Sequence, residues 1–150
     1  MTQIDFYQLG GSGLDAALVA LVKKTCTAGQ KALILCPHPA AVSVDSLLWS
    51  HDPDSWLPHG LDDATGADIA PIWISSDMAA NPIEAKFVFL LHGSRPASWD
   101  GFIRCFCLFD GGSEAQLSQA RAQWKEWSSL DDAQLGYYAQ NSTGGWDKKA

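Results

Sequence analysis

The sequence predicts a three-layer α/β/α domain built on a central, largely parallel sheet. Three observations carry this. Short apolar runs alternate with runs of helical period through the first part of the chain. The runs at 31–37, 69–75 and 85–93 are close to continuously apolar, as strands covered on both faces read. Strand–helix–strand order then calls for right-handed crossovers, which lay helices over both sides of a sheet.

"IDFYQL" (4–9) is a first strand of aromatic and branched residues, running into the turn "GGSG" at 10–13. "LDAALVALVKKTCTAG" (14–29) is a helix: Leu14, Leu18, Leu21 and Val22 recur at helical spacing, Lys23 and Lys24 stand near its end, and Gly29 stops it. "KALILCP" (31–37) is a buried strand, and "AAVSVDSLLWS" (40–50) a second helix with Val44, Leu47 and Leu48 on one face. "SHDPDSWLPHGLDD" (50–63) is a loop, broken by Pro53 and Pro58. Strands follow at 69–75, 85–93 and 103–110, the direction of the last being open. "SEAQLSQARAQWKEWSSL" (113–130) is a helix with Ser113 as its cap. The tail "GYYAQNSTGGWDKKA" is aromatic and polar with no period. These elements predict about five strands or more. No repeat or linker interrupts residues 1–150, so one domain is expected.

A chain of 150 residues buries about 70% of its unfolded surface, enough for a core. No apolar run approaches the roughly 18 residues of a membrane helix. "MTQIDFYQL" lacks the charged start and apolar stretch of a secretory signal, so a cytoplasmic location is expected. Cys26, Cys36, Cys105 and Cys107 are then reduced, and read as small buried apolar residues. One residue separates Cys105 from Cys107, which does not match paired zinc ligands. The formal net charge of −7 makes the chain a poor non-specific nucleic-acid binder.

Gly11, Gly13 and Ala16 fit the dinucleotide pattern G-x-G-x-x-A in a strand–turn–helix setting, so a nucleotide-binding enzyme is one alternative. Against it, the second strand ends in Cys36-Pro37-His38, without the acidic residue that holds a ribose, and Asp15 sets a carboxylate where phosphate would sit. A tight glycine turn is the favoured reading. His38, His51, His59 and His92 are scattered, and no zinc, deaminase or hydrolase motif joins them. No catalytic residue, cofactor or metal is assigned.

The helix at 113–130 carries more signal. Leu117, Ala120, Trp124 and Trp127 form an apolar stripe, with Arg121 and Lys125 four residues apart beside Trp124. Spacing alone favours a core helix with solvated cations on its margin. The alternative is an aromatic wall beside two cations, suited to an acidic peptide with an apolar side chain. Trp56 and Trp146 stand in predicted loops, where a core role explains them less well.

The segments "FYQL", "LLWSHDPDSWLPHG", "RCFCLFDG", "ARAQWKEW" and "YYAQNSTGGW" resemble, in this order, the chi subunit of bacterial DNA polymerase III. The resemblance implies an α/β domain like nucleotide-binding folds but without their phosphate loop, and no catalysis by this chain. It implies an accessory of the clamp-loader complex, joined to it in some cases through a psi subunit, that binds the acidic C-terminal tail of the single-stranded DNA-binding protein. Carried over by motif, the tail site comprises Trp56, Leu57, Pro58 and His59 from the loop, Arg121, Trp124 and Lys125 from the helix, and Trp146. The family has Phe where Trp56 stands, and a basic position of some members falls near Leu117.

Overall fold

The computed structural model describes residues 2–10, 13–50, 59–62, 70–143 and 145–150. In chain order the elements are β1 (Thr2–Leu9), α1 (Gly13–Thr27), β2 (Ala32–Leu35), α2 (His38–Ser50), β3 (His59–Leu61), β4 (Ile72–Ser75), β5 (Phe87–Leu91), β6 (Arg104–Asp110), α3 (Glu114–Trp127), β7 (Ala133–Gln140) and β8 (Trp146–Lys148). The eight strands form one sheet in the order β3-β4-β2-β5-β6-β1-β7-β8. All pair in parallel except β8, which runs antiparallel to β7.

Handedness explains the layers. From β1 to β2 and from β2 to β3 the chain moves toward one edge of the sheet, by way of α1 and α2. From β6 to β7 it moves the other way, by way of α3. Right-handed crossovers of opposite direction must lie on opposite faces. The core is accordingly divided. Leu18, Val22, Val44 and Leu48 of α1 and α2 pack on Ile34, Phe89, Phe106 and Leu108. On the other face Ala120 and Trp127 of α3 pack with Phe6, Val88, Cys105 and Cys107. Each central strand therefore needs apolar side chains on both faces, which is why β2 and β4 are buried at every position.

The predicted strands and helices are present within a few residues of their expected ends. The strand at 103–110 runs parallel to both its neighbours, β5 and β1. Two expectations are corrected. The loop expected at 50–63 contains β3, a three-residue edge strand too short to show a period; residues 51–58 lie outside the described residues. The aperiodic tail forms β7 and β8. In β7 Tyr137 packs toward α3 and Tyr138 toward α1, so both faces are partly buried and no polar–apolar alternation marks the strand. Asn141 closes the hairpin, its Oδ1 accepting the backbone N–H groups of Thr143 and Gly145 at 3.1 and 2.9 Å.

β3 docks because Gly60 leaves room for the Trp73 ring: a Cβ at residue 60 would lie 2.2 Å from it. Gly60→Ala is expected to destabilise the protein by about 1–3 kcal/mol, measured by thermal or urea denaturation, with little effect on far-UV circular dichroism below the transition.

Cys36, Cys105 and Cys107 are buried, and Cys26 is half-buried. Burial pushes the Cys107 thiol from 9.0 up to about 12. Burial, with the Asp62 carboxylate adding to it, does the same for Cys36. Burial and Asp5 raise the Tyr7 phenol to about 12. The unfolded chain releases these protons at lower pH than the folded one, so the stability present below pH 9.0 is lost as pH climbs toward about 12. Denaturation midpoints should fall steeply across that window, and Cys107→Ser should make the fall shallower.

Candidate functional site

α3 begins where Ser113 accepts the N–H of Gln116 on its hydroxyl at 3.3 Å. Its rotation is fixed by Gln123, which is buried. The Gln123 amide donates to the carbonyls of Gly93 and Ser94 at 3.2 and 3.3 Å, and its oxygen accepts from the Cys107 thiol at 3.5 Å. A buried amide with these partners resists helix rotation, because turning it strands polar groups in the core. The buried line is thus Ala120, Gln123 and Trp127, and the predicted stripe is turned partly outward.

Leu117 and Trp124 come to lie half-buried on the margin. Trp124 meets Phe6 edge-on at 5.4 Å and Tyr137 at 6.0 Å, so its ring is clamped against β1 and β7. Arg121 and Lys125 project into solvent. Arg121 lies near the Tyr137 phenol, which burial pushes up and the guanidinium pulls partly back. The Tyr137 hydroxyl donates to the Gln8 side chain. Across the hairpin, the Lys149 N–H donates to the Tyr137 carbonyl at 2.7 Å, and strand alternation puts Lys149 on the α3 face and Lys148 on the other.

Neither Arg121 nor Lys125 has an ion-pair partner among the described residues, whereas Glu126 of the same helix pairs with Arg95 at 2.6 Å. Like charges four apart on a helix cost about 0.2–0.5 kcal/mol. The arrangement is a local positive field beside a rigid aromatic ring, in a protein of net charge −7.

The other residues expected at the tail site fall elsewhere. His59 is in β3, at the far edge of the sheet and roughly 20–30 Å from β6 and β7 by strand spacing. Its side chain is buried against α2, with Nε2 3.1 Å from Asp45 Oδ1. Trp146 is on the opposite face from Trp124, edge-on to Tyr7 at 5.0 Å. Trp56, Leu57 and Pro58 lie outside the described residues. Sequence reasoning missed Phe6, Tyr137 and Gln123, whereas Lys148 and Lys149 were expected to add positive field. Only the paired tyrosines hinted at a strand, and nothing in the sequence placed Tyr137 beside Trp124.

The glycine turn favours structure over cofactor. Gly13 has φ 77° and opens α1, while Gly11 lies outside the described residues. A crevice at the C-terminal ends of β1 and β6 is lined by Gly10, Gly13, His92, Asp110 and Gln116. There Asp110 accepts the Gly112 N–H at 2.9 Å, and the Gln116 side chain accepts the Asp110 N–H at 2.8 Å. The Asp110 carboxylate lines this crevice and Asp15 lies in the first turn of α1, whereas a phosphate at a helix start needs donors.

A family model described as DNA polymerase III chi subunit, HolC, matches residues 1–133. A search of the curated proteins finds no match. The matched span runs from β1 through α3 to the first residue of β7, and it includes Arg121, Trp124 and Lys125. The chain belongs to the DNA polymerase III chi subunit family, a family of replication accessory subunits.

Proposed function

We propose that this chain is a non-catalytic chi subunit that links the polymerase III clamp-loader complex to the single-stranded DNA-binding protein, by holding the acidic C-terminal tail of that protein. The observation that supports this reading is the pair Arg121 and Lys125, without an ion-pair partner among the described residues, beside the clamped, half-buried Trp124. An apolar side chain at the tail end packs on Trp124, where Phe6 and Tyr137 hold the ring still. Tail carboxylates pair with Arg121 and Lys125, and Lys149 adds charge from the hairpin. Rigid aromatic anchors with cations at the rim are the usual composition of interface hot spots.

Charge-assisted contacts of this kind contribute about 1.5–3 kcal/mol each when partly buried. Calorimetric titration with the tail peptide should therefore show Arg121→Ala and Trp124→Ala each weakening binding by about tenfold or more. Raising salt should weaken it further, since the cations are exposed. Tail peptide that binds the double variant as well as the unaltered protein would remove α3 as the site. No binding to the unaltered protein would remove the function.

A further inference from the structure

The face opposite α3 carries a second aromatic feature, which the tail site does not use. Five adjacent strands, β5, β6, β1, β7 and β8, each contribute one ring: Phe87, Phe106, Tyr7, Tyr138 and Trp146. Successive centroids along this row are 6.1, 5.8 and 5.2 Å apart, and Trp146 stands edge-on to Tyr7 at 5.0 Å. Phe106 and Tyr7 are buried, and they support the partly open rings at the two ends. Between those ends runs a cleft of about 460 Å³, walled by the C-terminal part of α1.

Among the described residues, the lining of the cleft carries the cations Lys24 and Arg104 and no carboxylate. Arg104 lies over the Phe106 ring at 4.5 Å, fixed from below by the buried Asp5 at 3.4 Å, and 40% of its side chain is exposed. Lys24 of α1 stands on the opposite wall, and strand alternation puts Lys148 on this face beside Tyr138. Planar rings at both ends with cations between them match the repeat of a single-stranded nucleic acid, whose bases stack and whose phosphates need neutralising. A duplex keeps its bases stacked inside and presents none to such a cleft. A peptide with one terminal aromatic uses one end only.

The geometry points to this cleft as a weak, sequence-tolerant site for single-stranded DNA, with bases against Phe87 and against Tyr138 and Trp146, and phosphate at Arg104 and Lys24. The net charge of −7 opposes it, so occupancy belongs to low salt or to DNA already held nearby. The site is independent of the tail reading, because it lies across the sheet from Trp124.

The test is fluorescence anisotropy of labelled oligothymidylate and oligodeoxyadenylate, about 15 nucleotides long, with the full chain at about 20 mM salt. Both oligonucleotides should bind, and duplex of equal length should not. Lys24→Glu and Trp146→Ala should each weaken binding about tenfold, while Arg121→Ala leaves it unchanged. Lys24→Glu is a surface change, and matching thermal melts establish that both variants fold. No binding at low salt, equal binding of duplex, or binding unaltered by both substitutions would overturn the site. So would an oligonucleotide complex displaced by Arg121→Ala, which would place the DNA on α3. Loss of tail-peptide binding alone, with the oligonucleotide still bound, would count against the tail reading and in favour of this one.

Discussion

The position of β1 between β6 and β7 organises the molecule. Pairing on both sides buries the strand from both faces, so neighbouring residues serve opposite halves of the protein. Phe6 points to α3 and touches Trp124, Trp127 and Tyr137. Tyr7 points the other way and touches Phe106, Tyr138 and Trp146. Two aromatic clusters therefore hang from one dipeptide, separated by the thickness of a sheet. The basic margin of α3 and the cleft are the exposed margins of those clusters, and neither ring set is positioned without β1 in the middle.

Electrostatics follow the same division. The chain is acidic overall, yet its positive charge is placed with care on both margins. On the cleft side Arg104 is anchored by buried Asp5, which orients the guanidinium and offsets part of its charge. On the α3 side Arg121 and Lys125 have no such anchor among the described residues, so their charge remains for a partner. An ion pair inside the fold fixes geometry, whereas an unpaired cation on a rigid helix provides attraction. Glu126 shows the contrast on the same helix, since Arg95 already occupies it.

The segment 50–63 sets imidazoles and carboxylates close along the chain, and His59 and Asp62 fall within its described residues. In the fold His59 turns under α2 toward Asp45, while Asp62 accepts from the Ser76 N–H at 2.8 Å. These groups tie an edge strand to its neighbours. The local sequence places them close along the chain, but strand alternation and the crossing of α2 send them to different partners.

Much of the architecture was legible because it is local. Helical period in 14–29 and 113–130, continuous apolar strands and the crossover rule determined the three helices and the central strands found among the described residues. Arg121, Trp124 and Lys125 were legible as one face, because residues three and four apart on a helix are neighbours whatever the helix packs against. The tertiary structure alone decided which way α3 turns, through the Gln123 amide reaching Gly93, Ser94 and Cys107 from different parts of the chain. It alone put Tyr137 beside Trp124 and Trp146 behind the sheet. Strand order sets those distances, and strand order depends on contacts between segments more than a hundred residues apart, which no local pattern encodes.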